Sequence, residues 1–157
     1  MPDAAEPHRK VLRLAGYDYA QAGAYFVTIC TAGRRCVLGS IVGTAFQASP
    51  PGTLVTAEWQ DVPRRFPGVA LDAFVVMPNH LHGIVVLEPG AMPPLGAIIR
   101  AFKAVTTRRL RTSGVPDFTW QANYYEHIIR NEIDLDRVRQ YITENPARWA
   151  DDTENPA

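Results

Sequence analysis

The chain has 157 residues and is 46% hydrophobic, which is enough for one compact domain with a substantial core. Its 16 basic and 16 acidic side chains balance, so net charge argues neither for nor against a polyanionic partner. Two cysteines are too few for a disulfide framework or a structural zinc site, and no stretch approaches the roughly 20 apolar residues that span a bilayer. We therefore expect a single cytoplasmic domain over residues 1–157, with no membrane segment.

The first part of the chain predicts one strand and one helix. Residues 1–23 are polar and have the character of a loose lead-in, whereas residues 25–31 are rich in β-branched and aromatic side chains and predict a strand. A glycine and two arginines at 33–35 turn the chain, and the Gly, Ala, Ser and Pro content of residues 40–52 predicts a loop. A helix is expected over about residues 53–65, before a Pro-Gly pair.

The middle of the chain predicts a β-hairpin, an amphipathic helix and a further strand. Residues 70–77 and 81–88 are strand-like, and the connection between them is so short that the two strands should pair in antiparallel orientation. Apolar side chains at helical spacing, from Leu95 to Leu110, mark one face of a helix. Residues 124–130 are again β-prone.

The chain ends with a predicted helix that Asn131 caps and that stops near Asn145, because Pro146 disfavours helical geometry in the residue before it. Residues 150–157 are expected to form a disordered tail. The resulting order, β-α-β-β-α-β-α, fits an α+β fold of the ferredoxin-like, split βαβ type, with four antiparallel strands, two helices on one face and a further C-terminal helix. A fold of this kind does not by itself indicate a function.

Two histidines, His80 and His82, stand two residues apart where the second hairpin strand begins. Side chains alternate along an extended backbone, so both imidazoles should point to the same face of the sheet, where they can hold one metal ion together. An isolated His-x-His pair is as often structural, with one imidazole packed on the sheet and the other in water. The pair therefore needs support from a second group of residues.

That support comes from the predicted C-terminal helix. Tyr141 and Asn145 are spaced i, i+4 and project from the same side of the helix, one turn apart. Leu135, Val138 and Ile142 form the apolar stripe that should dock the helix on the sheet, which leaves Tyr141 at the margin of the stripe. The alternative is that Tyr141 is an ordinary half-buried aromatic side chain.

A basic segment lies on the predicted helix over residues 95–112. This segment has no acidic residue, whereas acids outnumber bases over residues 113–157. Phosphate contact is the natural role of such cations, although a basic helix face is often only solvated. The candidate DNA-binding residues lie on this helix and in the first turn of the chain: Arg100, Lys103, Arg108, Arg109 and Arg111, with Arg34 and Arg35.

Segments along most of the chain resemble the REP-associated tyrosine transposases, within the single-tyrosine HUH transposases of the insertion-sequence type. The agreement in order and spacing is specific, unlike either motif alone. The segments that carry it are Tyr25-Phe26-Val27-Thr28, Met77-Pro78-Asn79-His80-Leu81-His82-Gly83, Phe118-Thr119-Trp120-Gln121, Tyr124-Tyr125-Glu126-His127 and Tyr141-Ile142-Thr143-Glu144-Asn145-Pro146.

The resemblance implies a role for the residues of both motifs. His80 and His82 are then ligands of a divalent metal, Mg²⁺ or Mn²⁺, and Tyr141 is the nucleophile that attacks a DNA phosphodiester to leave a 5′-phosphotyrosine and a free 3′-hydroxyl. The third ligand maps onto Asn145, where related insertion-sequence enzymes often have Gln. Imidazole ligands without a carboxylate favour manganese in vitro.

The resemblance also implies the substrate, which is single-stranded DNA with an imperfect palindromic hairpin, and a protein that acts as a monomer or a homodimer. Two other functions stay open. A metal-dependent nuclease that uses water would leave no covalent adduct, and a non-catalytic module that binds single strands would be indifferent to loss of His80 and His82. The transesterase is preferred because the two alternatives leave the Tyr141 and Asn145 pair unexplained.

Overall fold

A computed structural model of the chain describes residues 22–91 and 93–156. Most of the predicted lead-in therefore lies outside the described residues. In chain order, the elements are β1 (Gly23–Cys30), β2 (Gly39–Val42), β3 (Ala45–Ala48), α1 (Pro50–Gln60), α2 (Val62–Arg65), β4 (Val69–Met77), β5 (His80–Leu87), α3 (Leu95–Thr112), β6 (Tyr125–Ile129) and α4 (Glu132–Glu144), with short 3-10 helices at Ala32–Arg34 and Pro146–Asp151.

One antiparallel sheet, in the order β4-β5-β1-β6, forms the centre of the fold. Helices α1 and α3 cover one face, where Trp59 and Phe102 pack against Val27 in the larger core cluster. Helix α4 covers the opposite face, where Val138 packs in a second cluster with Phe26. The predicted α+β fold with a four-stranded antiparallel sheet is confirmed, and α4 lies on the face opposite to α1 and α3.

Strand β1 lies between two neighbours and is buried on both faces. Its residues from Phe26 to Cys30 are all buried, which explains their nearly continuous apolar and β-branched character. The antiparallel register with β5 places Thr28 opposite His82 and Cys30 opposite His80. The histidines therefore stand at one end of the two central strands.

A glycine follows the histidines because β5 comes into close contact with α1. Gly83 faces the fully buried indole of Trp59, and a Cβ added to Gly83 would lie 2.5 Å from Trp59 Cζ2. Such a contact is too short for any other residue type. Since neighbouring strand residues face opposite ways, Gly83 faces α1 and His82 faces α4.

The prediction of a loop over residues 40–52 was wrong in part. Strand β3 and most of β2 lie in this segment, and the two strands form a separate two-stranded sheet. Ile41 lies opposite Phe46 in this pair, and Gly43 makes the turn with a φ of 65°, which glycine adopts without strain. The strands have only four residues each, and several of these are glycine, serine or alanine. So few large apolar residues give no clear alternation of apolar and polar side chains, which is the pattern that indicates a strand.

The first helix begins and ends earlier than predicted. Ser49 caps α1, because its Oγ accepts a hydrogen bond from the Gly52 N–H at 3.2 Å, and Pro50 occupies the first helical position. Helix α1 ends at Gln60, and Pro63 lies in the separate short helix α2. A proline has no N–H to continue the ladder of hydrogen bonds, which accounts for the break.

The later elements match the predictions closely. Helix α3 carries the predicted apolar face, and α4 begins after Asn131, whose side chain accepts a hydrogen bond from the Asp134 N–H at 2.8 Å. Helix α4 ends at Glu144, next to the predicted end at Asn145. Within the described ranges, no helix combines the length and apolar character needed to cross a membrane.

The C-terminal tail, predicted to be disordered over residues 150–157, is described through residue 156. After the 3-10 helix Pro146–Asp151, residues 152–156 pack on the molecule, and Glu154 is fully buried. Asn79 Nδ2 donates a hydrogen bond to the Glu154 carbonyl oxygen at 2.6 Å, and Arg34 donates to the Thr153 carbonyl oxygen at 3.1 Å. The tail is held through its backbone, which gives no signal in hydropathy or composition.

Candidate active site

The two histidines begin β5 and face the side of the sheet that α4 covers. Both side chains are fully buried, and Nε2 of His80 lies 3.1 Å from Nε2 of His82. The prediction that both imidazoles share one face of a strand is therefore confirmed. Two ring nitrogens at this separation are close enough to bind one metal ion.

Asn79 fixes the tautomer of His80. The Asn79 amide nitrogen donates to the carbonyl oxygens of Arg34 at 3.2 Å and Glu154 at 2.6 Å, so its Oδ1 must accept in the 2.8 Å contact with His80 Nδ1. The ring proton of His80 is therefore on Nδ1, and Nε2 carries a lone pair. Burial lowers the pKa of His80 to about 3, so the imidazole is neutral at physiological pH.

Thr28 orients the ring of His82. Its Oγ1 lies 2.7 Å from Nδ1 of His82, directly across the β1–β5 register. Burial also lowers the pKa of His82, and the neighbouring His80 adds to this effect. A partner on the second ring nitrogen, which orients the first, is typical of histidines that bind metals.

Tyr141 lies on α4 at the margin of the apolar stripe, as the sequence predicted. Its ring centroid is 5.3 Å from that of His82. Burial raises the pKa of Tyr141 to about 12, and the Asp152 carboxylate adds to the rise. A hydrogen bond with Asn145 and the charge of Arg148 act in the opposite direction. The hydroxyl is therefore a neutral phenol at physiological pH.

Asn145 completes a set of three potential metal donors. Its side chain lies within hydrogen-bonding reach of His80 and Tyr141, and its Oδ1 is buried with no hydrogen-bond partner among the described residues. Across residues 22–91 and 93–156, no group of three His, Cys, Asp or Glu side chains is arranged to hold a metal ion. Two neutral imidazole nitrogens and one unpartnered amide oxygen nevertheless fit a divalent cation.

The tail contributes an acidic residue that the sequence analysis missed. Asp152 Oδ2 lies 3.7 Å from His80 Nε2, and its side chain is only 6% exposed. Burial raises the pKa of the Asp152 carboxyl. No sequence signal pointed to this residue, because the tail was predicted to be disordered.

A cavity of about 320 Å³ reaches Tyr141 and Asn145. It lies beside the ring of Tyr141, and the tail forms one of its walls. Its opening gives an outside molecule access to the tyrosine and to the amide of Asn145. The residues that line it are Tyr141, Asn145, Arg148, Asp151, Asp152 and Thr153.

The predicted DNA-binding cations of α3 lie on the other side of the sheet from the histidines and Tyr141. Four of them line a groove of about 590 Å³, together with Trp120 and Gln121. The fifth, Arg109, instead pairs with the buried carboxylate of Glu58. The four groove cations are Arg100, Lys103, Arg108 and Arg111.

These cations differ in whether their side chains already form hydrogen bonds within the protein. Lys103 Nζ donates to the carbonyl oxygen of Gln121 at 2.8 Å, and Arg111 Nε donates to that of Phe118 at 2.8 Å. The guanidinium groups of Arg100 and Arg108 form no hydrogen bond or ion pair with another described residue. These two arginines are therefore available to an outside phosphate.

The two arginines of the first turn do not line the groove on α3. Arg34 donates to the Thr153 carbonyl oxygen and so holds the tail, whereas Arg35 pairs with Asp117 at 3.2 Å. Neither side chain contacts the histidines or Tyr141 in the part of the chain that the structure describes. The structure thus places the two histidines, Tyr141 and Asn145 on one face of the sheet and the basic groove of α3 on the other.

The family comparison decides the class of protein. Residues 64–145, which carry both histidines, Tyr141 and Asn145, match the family model described as an IS200-like transposase. The chain belongs to this family. It is a DNA transposase, and the resemblance drawn from the motifs is confirmed.

Three individual proteins are similar to this chain. An uncharacterized protein of Haemophilus influenzae is 36% identical to this IS200-like transposase over 165 aligned residues, which cover 92% of each chain. The structure of a REP-associated tyrosine transposase bound to a REP hairpin matches with a TM-score of 0.67 and 25% identity, over 89% of this chain and 74% of that chain. An inferred transposase of Deinococcus radiodurans R1 matches with a TM-score of 0.55 and 19% identity, over 85% and 96%, and shows the fold alone.

Proposed function

We propose that this transposase is a metal-dependent endonuclease and strand transferase for single-stranded DNA, which cuts and rejoins DNA next to hairpin-forming repeats through a 5′-phosphotyrosine intermediate. The observation that carries the proposal is the convergence of His80, His82 and Asn145 beside the ring of Tyr141. A nuclease that activates water does not need the tyrosine, and a module that only binds strands needs neither the tyrosine nor the histidines.

The donor set supports binding of a divalent cation, Mn²⁺ or Mg²⁺. His80 Nε2, His82 Nε2 and Asn145 Oδ1 would hold it, and two nitrogen donors suit Mn²⁺ better than Mg²⁺, which prefers oxygen. When bound, such an ion polarises the scissile phosphate and stabilises the charge that develops on it. The neutral state of both imidazoles supports this role, because a protonated ring has no lone pair to give.

The Tyr141 hydroxyl is the proposed nucleophile. Its oxygen forms a bond to the phosphorus of the scissile phosphodiester while the bond from phosphorus to the 3′ oxygen of the preceding nucleotide breaks. The phenol loses its proton and the departing 3′ oxygen gains one, so one phosphodiester replaces another. Attack by a second 3′-hydroxyl on the phosphotyrosine reverses these bond changes and joins a new strand.

The groove on α3 is the proposed binding surface for the DNA hairpin. Arg100 and Arg108 support this role because their guanidinium groups are exposed and not engaged by the described residues. The related structure that is bound to a REP hairpin supports a hairpin as the ligand. Phosphate contacts of this type hold DNA in register without reading its sequence. Lys103, Arg109 and Arg111, with Arg34 and Arg35, add positive charge from side chains that the protein already engages.

The test is incubation of the wild-type protein and Tyr141→Phe with 5′- and 3′-labelled hairpin DNA and Mn²⁺. We expect a label that stays on the wild-type protein through denaturing electrophoresis, is absent from Tyr141→Phe, and does not form in the presence of EDTA. Cleavage by both proteins without a covalent adduct would favour a nuclease that uses water. Binding without cleavage across several hairpins would favour a non-catalytic module.

A further inference from the structure

The cavity beside Tyr141 has an unfavourable charge for DNA. Asp151 and Asp152 both line it, so a phosphodiester that reaches the Tyr141 hydroxyl must approach two carboxylates. Like charges repel at short range, and the repulsion is stronger where the protein excludes water. A cation on the wall of the cavity would offset this repulsion, in addition to the charge of the proposed metal ion.

Arg148 is the cation that the structure offers. Among the described residues that line the cavity, it is the one with a positive charge. Arg148 also lines a second cavity, of about 260 Å³, together with Tyr141, Arg137 and Glu144. Because Tyr141 and Arg148 line both cavities, one guanidinium group can reach a phosphate bound on either side of the tyrosine.

The contact that holds Arg148 is weak. Its guanidinium pairs with Glu144 at 2.7 Å, but the arginine side chain is 67% exposed. An exposed ion pair at i, i+4 spacing contributes little, whereas a guanidinium group binds phosphate through two parallel, charge-assisted hydrogen bonds. A DNA phosphate can therefore displace Glu144 from Arg148.

Resting on the function proposed above, we propose that Arg148 is a catalytic residue that binds the non-bridging oxygens of the scissile phosphate beside Tyr141, exchanging its Glu144 partner for DNA. The guanidinium group offsets the carboxylates of the cavity and holds the phosphate in place for attack. The family match ends at residue 145, so Arg148 belongs to the part of the chain outside the matched region.

Two substitutions break the same ion pair and separate this role from a structural one. Arg148→Gln removes the cation and should slow single-turnover adduct formation on saturating hairpin DNA about tenfold or more. Glu144→Gln releases the cation and should react as fast as the wild type or faster. Equal slowing of both variants would overturn the proposal, because Arg148 would then act only as the partner of Glu144.

Charge on the substrate provides an independent comparison. A hairpin whose scissile linkage is a neutral methylphosphonate lacks the anionic oxygen, so the difference between wild type and Arg148→Gln should shrink to about twofold or less. An undiminished difference on this substrate would count against a contact with the phosphate. Arg148→Lys keeps the positive charge but lacks the two parallel donors of a guanidinium group, so it should react at an intermediate rate. This variant also provides a measurement if Arg148→Gln folds poorly.

Arg137→Gln is the matched control, because Arg137 is the other cation of the second cavity but does not line the first. Its rate should stay within about twofold of the wild-type rate. The outcomes also separate this proposal from the function on which it rests. If wild-type protein forms no adduct, both fail; if it forms one and Arg148→Gln forms it equally fast, only the role of Arg148 fails.

Discussion

Hydrogen bonds determine what each residue of the site can do. His80 donates from Nδ1 to Asn79, so its Nε2 lone pair is directed toward His82. Unlike Nδ1 of His80, the Oδ1 atom of Asn145 is buried with no hydrogen-bond partner among the described residues. An unsatisfied buried acceptor costs about 1–3 kcal/mol, and binding of a cation would remove that cost.

Asn145→Ala should therefore weaken binding of Mn²⁺ by about tenfold or more, since it removes the one oxygen donor of the set. Isothermal titration calorimetry on EDTA-treated protein measures the affinity directly, without DNA. Asn145→Gln keeps an amide on a longer side chain and should retain more of the affinity. Equal affinities of the wild type and Asn145→Ala would contradict the proposed donor set.

Asp152→Asn should accelerate adduct formation. Its carboxylate lies 3.7 Å from His80 Nε2 and faces the path of an incoming phosphate. Removing this negative charge from the wall of the cavity should raise the single-turnover rate about three- to tenfold. Asp151→Asn is the control, because Asp151 lines the same cavity but is exposed, and it should change the rate less. A slower Asp152→Asn would mean instead that the carboxylate helps to bind the metal.

Helix α4 is the element that brings Tyr141 to the histidines, and two kinds of contact hold it. Val138 and Ile142 pack against Phe26 of β1 in the smaller core cluster. Arg139 also forms a two-pronged ion pair with Asp72 of β4, at 2.8 and 2.7 Å. The apolar contacts fix the height of the helix over the sheet, and the ion pair ties it to the edge strand.

Arg139→Ala should loosen this attachment and lower the urea concentration at the midpoint of unfolding slightly, because the pair is partly exposed and solvent screens it. Arg139 lowers the pKa of the Asp72 carboxyl, so its contribution is present above the ordinary pKa of Asp and is lost as pH falls through the lowered value. Urea unfolding at about pH 7 should resolve the difference, which should shrink progressively as the pH falls below the ordinary pKa of Asp. A difference that persists in acid would contradict this origin.

The sequence predicted the elements that carry strong local signals. Asn131 and Pro146 mark the ends of α4, and the short Pro78-Asn79 turn makes β4 and β5 a hairpin. The β2–β3 hairpin was missed because its few large apolar residues lie among small ones. The tail was missed because side chains of Asn79 and Arg34, distant in sequence, hold its backbone carbonyls. Such long-range contacts leave no periodicity to read.

The whole molecule carries its two candidate sites on opposite faces of the sheet. The histidines and Tyr141 lie on the α4 face, and the basic groove lies on the α3 face. The sequence predicted the residues of both groups but not their separation, because helical spacing does not determine which face of a sheet a helix covers. Engagement of Arg109 by Glu58 depends likewise on tertiary packing. The single-domain organisation stays a prediction.

The double variant Arg100→Ala, Arg108→Ala should weaken binding of hairpin DNA and reduce the slope of log affinity against log salt by about 2. The rate of adduct formation at saturating DNA should change little, since both arginines lie across the sheet from Tyr141. Fluorescence anisotropy over a range of salt concentrations measures the slope. Arg137→Ala, on α4, is the control, and an equal loss in both proteins would contradict a specific role for the groove.

The most direct test of the account identifies the atom that carries the DNA. Wild-type protein is allowed to react with hairpin DNA and Mn²⁺, the adduct is digested with nuclease and protease, and the modified peptide is sequenced by mass spectrometry. We predict a 5′-nucleotide joined through phosphate to the Tyr141 oxygen. A nucleotide on any other residue, or cleaved DNA with no modified peptide, would contradict the central claim that Tyr141 is the nucleophile.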